Sequence, residues 1–320
     1  MNDPVRGRAP GLVPGLAAAL LLAAAWAGSQ SQEIRRQTIR VNSSLVVVPV
    51  SVSDASGRIV AGLEVGQFAI DEDGVRVAPF VVGEAGTTPL ELALLLDVSG
   101  SVRPRFDFER EAASRFLRAV IRPQDSVALL SVATRPKLLR PRTFALETVL
   151  GDLQSLRGTG EATAFFDALV LASGSFGTAD VTRSRRVVVA LSDGEDNASA
   201  HYRLPAASRA FQESDCVFYS INPAGKSIRL NRISREGQHG LEALAAQTGG
   251  VAFLADELTE LDTIFSRVSA EIGAQYLLGY YSPAAGPEGT FRRIQVMVPS
   301  DPGLRIRARQ GYYATKRPGS

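Results

Sequence analysis

Asp97, Ser99 and Ser101 stand at alternate positions directly after the apolar run Leu92–Leu96, and a helical pattern begins a few residues later, near Pro104. One carboxylate and two hydroxyls on a strand-to-helix turn can converge on a hard cation, because Mg²⁺ takes oxygen ligands octahedrally and keeps waters in its shell. Taken alone, the same three residues equally suit a helix N-cap, where Ser and Asp satisfy free backbone N–H groups. One cysteine, Cys216, and two histidines, His201 and His239, cannot build an intramolecular disulfide, a four-cysteine zinc site or a histidine-rich catalytic centre. Any metal is therefore expected on oxygen. No general base, nucleophile dyad or redox centre is visible beside this turn, so an enzyme is not expected.

The elements that must hold the turn can be read from the apolar pattern. Between Leu90 and about Ile272, short runs apolar on both faces (Leu92–Leu96, Ser126–Val132, Val187–Leu191, Val217–Ile221 and Val251–Leu254) alternate with segments of three- and four-residue apolar spacing. Those segments are Phe106–Val120, Leu146–Leu156, Phe165–Ser173, Leu204–Glu213, Gly240–Gln247 and Leu258–Ile272. Such alternation predicts an α/β fold with a doubly wound, mostly parallel sheet. In such sheets ligands sit at the carboxyl ends of the strands, where Asp97 falls.

Both flanks read differently. Residues 44–83 carry strand and turn signals (Leu45–Val52, Phe68–Ile70, a turn at Asp71-Glu72-Asp73-Gly74, and Val75–Val82), and 274–313 return to strand texture with Tyr276–Tyr281, Arg292–Val298 and Leu304–Arg309. Fewer than about forty residues without a disulfide make a weak independent domain. The two flanks are therefore expected to pair into one β-rich module around a central domain of residues 88–273. Asp71, Asp73 and Gly74 are read as a hairpin turn, since the later ligands of a calcium loop are missing. The tyrosines Tyr276, Tyr280, Tyr281, Tyr312 and Tyr313 are read as strand residues filling a β core, and Cys216 as a buried strand residue.

Ahead of the linker at 28–43, residues 1–27 carry Arg6 and Arg8, an Ala/Leu-rich stretch and a small-x-small site at Ala25-Trp26-Ala27. That is the pattern of a signal peptide, so the chain is expected to be exported to a periplasmic or extracellular location. If the segment is retained, it becomes the single membrane tether. With 35 Lys and Arg against 33 Asp and Glu, the formal charge is +2, which gives no reason to expect a nucleic-acid partner. Gly225-Lys226-Ser227 imitates a phosphate loop, but the required first glycine falls at Ser220.

Three separated pieces then carry a family resemblance: Asp97-x-Ser99-x-Ser101, Thr163 within Gly160-Glu161-Ala162-Thr163-Ala164-Phe165, and Asp193 within Leu191-Ser192-Asp193-Gly194-Glu195-Asp196. In order and spacing, residues 90–272 resemble the von Willebrand factor type A domain with its metal-ion-dependent adhesion site. Tyr276-Leu277-Leu278-Gly279-Tyr280 and Arg309-Gln310-Gly311-Tyr312-Tyr313 resemble the ending of an exported subgroup described from Acidobacteria. The resemblance implies that Ser99, Ser101 and Thr163 ligate a divalent cation through their hydroxyls. It further implies that Asp97 and Asp193 bind directly or through water, and that the open sixth position takes a carboxylate from a protein partner. The expected ion is Mg²⁺, with Mn²⁺ and Ca²⁺ as alternatives. One departure is Glu161-Ala162, where bacterial relatives commonly have two glycines; Glu161 is expected to occlude or tune the open position. Glu195 and Asp196 are read as solvated loop charges, and Asn197-x-Ser199 as a glycosylation acceptor pattern. The function expected from all this is adhesion-type protein binding, the alternative being a structural subunit of a cell-envelope assembly with a vestigial metal site.

Overall fold

Alternating valines open the folded chain as β1 (Leu45–Ser53), followed by β2 (Ala69–Glu72), β3 (Val75–Val77) and β4 (Phe80–Glu84). These belong to a computed structural model that describes residues 44–84, 87–176, 184–223, 225, 232–283 and 287–314. The expected signal peptide and linker, and Lys226 and Ser227, lie outside the described residues. Asp73 and Gly74, at φ 49° and 84°, turn β2 into β3 as a hairpin with Asp71 opposite Arg76. Val75–Val82 is not one strand: it breaks at Ala78-Pro79, because proline brings no N–H to the ladder. The halves then join different sheets.

The apolar runs become β5 (Leu90–Asp97), β6 (Ser126–Val132), β8 (Arg185–Leu191) and β9 (Cys216–Asn222), every residue of which is buried. With β7 (Lys137–Thr143) and β10 (Ala252–Leu254) they form a six-stranded sheet in the order β10-β9-β8-β5-β6-β7, parallel except for β7. The edge strand β7 was not expected from the sequence. The helices are α1 (Phe106–Val120), α2 (Leu146–Ser155), α3 (Phe165–Ser173), α4 (Leu204–Glu213), α5 (Arg232–Thr248) and α6 (Leu261–Ala274). α5 therefore starts two turns earlier than the expected helix at Gly240.

The pleat decides which helix meets which residue. Leu92, Leu94 and Leu96 of β5 pack with α1, α2 and α6, while Ala93 and Leu95 pack with α3, α4 and α5 on the opposite face. The expected doubly wound α/β fold is what forms. After β5 the chain runs to β6 on one side, and it later returns to β8 on the other. A crevice consequently opens between the carboxyl ends of β5 and β8.

β11 (Tyr276–Tyr281), β12 (Phe291–Met297), β13 (Arg305–Ala308) and β14 (Gly311–Tyr313) complete two four-stranded sheets, ordered β13-β1-β11-β4 and β14-β12-β2-β3. Each mixes strands from both ends of the folded chain, as the sequence led one to expect: β1 lies antiparallel to β11 and β13, and β12 to β2. Val46, Val48, Val50 and Val52 meet Ile70 and Ile294 in the shared core. Among the described residues no helix is long and apolar enough to cross a membrane.

Candidate metal centre

Asp97 is the last residue of β5, and its position at the crevice follows from where the apolar run ends. Its Oδ1 accepts the Ser99 backbone N–H at 2.9 Å, a local turn that folds the next residues back over the strand end. The fold-back leaves Ser99 Oγ and Ser101 Oγ 3.2 Å apart. Asp97 Oδ2 accepts the hydroxyl of Ser192 at 2.6 Å, which ties β5 to the end of β8 just before Asp193. Asp97, Ser99, Thr163 and Asp193 are buried, whereas Gly100 and Ser101 are exposed, so the cluster reaches solvent at Ser101.

The Thr163 loop is stapled to this turn by backbone bonds. Gly100 N–H donates to Glu161 O at 3.0 Å, and Thr159 N–H donates to Val98 O at 2.7 Å. Thr163 is in turn held from the β8 side. Its N–H donates to Asn197 Oδ1 at 2.8 Å, and its carbonyl accepts from Asn197 N at 3.0 Å and Ala198 N at 2.9 Å. On the Asp193 loop, Glu195 N–H donates to Asp193 Oδ1 at 3.1 Å, and Asn222 Nδ2 donates to Asp193 O at 3.2 Å. The sharp turn after Asp193 needs Gly194: its φ is 73°, and a Cβ there would lie 2.7 Å from Leu241 and 2.8 Å from Gly237 O. The structure thus brings the Asp97–Ser101, Thr163 and Asp193 segments together by direct hydrogen bonds between them. The Glu161 side chain is exposed, while its carbonyl serves the Gly100 bond.

The electrostatics are those of a carboxylate cluster short of positive charge. Among the described residues the groups that donate to the Asp97 and Asp193 carboxylates are neutral: the Ser99 and Glu195 backbone N–H groups and the Ser192 and Ser99 hydroxyls. Burial, with the Asp193 charge adding to it, pushes the Asp97 carboxyl up to about 6. A third carboxylate, Glu109 on α1, is 0% exposed. Arg105 Nε donates to its Oε1 at 3.1 Å, while its buried Oε2 has no hydrogen-bond partner among the described residues. Burial outweighs Arg105 and lifts Glu109 to about 8, with Asp97 and Asp193 contributing. Among the described residues no group of three or more His, Cys, Asp or Glu is arranged to hold a metal. The donor set here is of another kind, two carboxylates and three hydroxyls, and it fits a hard divalent cation: all the donors are oxygen, and their excess negative charge calls for one.

Several positioning residues were not foreseen. Asp196, expected as a solvated charge, accepts the Phe165 and Phe166 N–H groups at 2.9 and 3.4 Å, capping α3 from another segment of the chain. Glu195, expected likewise, accepts the Ser234 hydroxyl at 2.5 Å. Asn197 holds Thr163, and Ser192 holds Asp97. Glu109 did leave a signal, since it falls on the buried stripe of α1 with Phe106, Ala113 and Phe116.

Residues 92–195 match the von Willebrand factor type A domain family. BatB from Bacteroides thetaiotaomicron is 18% identical, aligned over 57% of this chain and 98% of its own, with a TM-score of 0.46. Proximal thread matrix protein 1 from the mussel byssus, whose structure has a zinc-occupied MIDAS motif, is 15% identical over 62% of this chain and 49% of its own, with a TM-score of 0.49. The PilB minor pilin from Streptococcus sanguinis is 15% identical over 59% and 62%, with a TM-score of 0.46. The chain matches no curated protein. The segment that supplies the crevice, its three loops and their carboxylates is the one that is similar to the von Willebrand factor type A domain.

Proposed function

We propose that this chain is an exported binding protein of the Acidobacterial von Willebrand factor type A-related subgroup. On this reading it captures a partner carboxylate through a divalent cation. Ser99, Ser101 and Thr163 would hold the ion by their hydroxyls, and Asp97 and Asp193 would supply its charge balance, directly or through water. The ion would act as a Lewis acid that bridges two chains, with Mg²⁺ as the first choice and Mn²⁺ or Ca²⁺ as alternatives. The chain's own part is to orient the donors: Ser192 fixes Asp97, Asn197 fixes Thr163, and the Asp97 turn brings Ser99 and Ser101 together. Glu161, exposed beside the turn, is suited to tuning access.

One observation carries the reading: two buried carboxylates, met by neutral donors, share a strand-end crevice with converging hydroxyls that open to solvent. Calorimetric titration of Mg²⁺ and Mn²⁺ into the protein tests it, beside Thr163→Ala and Asp97→Ala variants shown to be folded by circular dichroism. Saturable one-to-one binding, weakened about a hundredfold or more by either substitution, is the expected result. Absence of binding by the parent protein would defeat it.

A further inference from the structure

A groove of 770 Å³ runs beside the metal-site face, between the turn that follows β6 and the outer surface of α3. Its apolar walls include Leu138, Leu171 and Tyr202, which are 38%, 38% and 40% exposed. Three large apolar side chains left in water around one concavity are more than scattered surface hydrophobics, and such a patch marks a contact surface.

The groove is bonded to the Thr163 loop at two points. Thr134 Oγ1, on one wall, donates to Ala162 O at 3.3 Å; Ala198 N–H, at the end, donates to Thr163 O at 2.9 Å. A chain whose carboxylate sat at the cluster would therefore have this groove as its adjoining path. The charge of the rim adds a sign. Arg135 is exposed and has no ion pair among the described residues, and the exposed His201 ring lies 6.3 Å from the Tyr202 ring, edge to face. The one carboxylate lining the groove, Asp167, is committed: it accepts the N–H groups of Ala200, His201 and Tyr202 at 3.0, 3.2 and 2.9 Å. Those bonds present His201 and Tyr202 at the groove's edge and hold the Asp167 carboxylate in place, which leaves Arg135 as the uncommitted charge beside an apolar floor.

We infer that the groove is the specificity half of the binding face. It receives an extended segment of a protein partner in which an acidic residue bound at the metal is accompanied, at a fixed spacing, by a Phe or Leu side chain seated against Leu138, Leu171 and Tyr202. This rests on the metal-bridged reading above and names the partner's chemistry: acidic and apolar together, with flanking acidic residues favoured by Arg135.

Fluorescein-labelled synthetic peptides, Asp and Phe joined by glycine spacers of increasing length, test it by anisotropy against the full chain in Mg²⁺ and in EDTA. Asn and Ser counterparts serve as probes for each half. At one spacer length, the Asp/Phe peptide should bind about tenfold or more tighter than the Asp/Ser peptide, as expected for burying one aromatic side chain. Leu171→Ser should bring the Asp/Phe peptide to the level of the Asp/Ser peptide, Arg135→Ser should abolish the gain that a flanking Glu adds to the Asp/Phe peptide, and both should leave Mg²⁺ affinity unchanged. Both positions are at the surface, and the unchanged Mg²⁺ affinity reports that the fold is intact. If Mg²⁺ and the Asp/Ser peptide bind but Phe adds nothing at any spacing, or if Leu171→Ser has no effect, this inference is overturned and the metal reading stands. A chain that takes up no Mg²⁺ overturns both.

Discussion

Glu72 in the β-sandwich and Asp97 in the α/β domain are both buried strand-end carboxylates, and each accepts hydrogen bonds from neutral groups. Their neighbours differ. Glu72 receives the hydroxyls of Tyr280 and Ser282, each at 2.7 Å, and of Tyr312 at 3.2 Å. The effect shows on the donors: burial and the Glu72 contact push the Tyr280 hydroxyl well above its ordinary range, and Tyr312 rises to about 12, chiefly from burial. Glu271, a buried carboxylate of α6, is likewise met by Tyr219 at 2.7 Å and by Arg307 of β13 at 2.6 Å. Asp97 instead feels Asp193, and both press on Glu109. Carboxylates that only hold a fold complete their own circle of donors, whereas those at the crevice repel one another and leave a demand for a cation from outside.

This contrast can be broken most forcefully on the sandwich side. Glu72→Ala removes the acceptor of three hydroxyls, two of them on buried residues, and should lower the unfolding free energy by about 3 kcal/mol in urea titrations. Mg²⁺ affinity should not change; a parallel loss of metal binding would show that the two regions are not separable in this way. Asn197→Ala, on the crevice side, should do the reverse. It removes the acceptor of the Thr163 N–H and leaves the two backbone bonds to the Thr163 carbonyl, and Mg²⁺ affinity should fall about tenfold by calorimetry with only a small change in stability.

The smallest effect concerns pH. Glu109 has a folded-state value of about 8 against an ordinary 4.5, so the folded metal-free protein keeps a proton that the unfolded chain releases as pH rises through that window. Its stability should therefore fall between about pH 4.5 and 8. Asp97 contributes in the same direction between 3.8 and about 6. Glu109→Gln, which keeps the shape without the titrating proton, should flatten the upper part of the decline and raise the melting temperature at pH 8 by a few degrees, on the order expected for a change of about 1 kcal/mol. An unaltered pH profile in this variant would show that Glu109 does not carry the strain.

The elements buried on both faces were legible because their residues have one reason to be apolar throughout. β5, β6, β8 and β9 follow the runs read from the sequence, and the turn after Asp97 lies where the first run ends. β7 was not legible. Lys137, Arg140, Pro141 and Arg142 carry no two-residue alternation, and the strand exists because it pairs with β6 at the sheet edge, where charges and proline are tolerated. The first turns of α5 hide for a similar reason, since Arg232, Ser234, Arg235 and Glu236 offer no apolar stripe. At the site, single-chain motifs were visible, but supports that act across the chain were not. Asp196 caps a helix that begins 31 residues before it, and Asn197 reaches back 34 residues to Thr163. Such spacings have no local periodicity to betray them.

The sandwich also sets a timetable for the growing polypeptide. The Tyr312 hydroxyl that reaches Glu72 is donated from 240 residues further along the chain. At roughly 5–20 residues per second, β1 and β2 wait on the order of ten to fifty seconds for their partners to leave the ribosome. All the strands and helices of the α/β domain are made within that interval, so the domain can close before the sheet edges of β1 and β2 are covered. Until then these two strands are the newborn chain's exposed adhesive surface, and they are what a chaperone would have to shield.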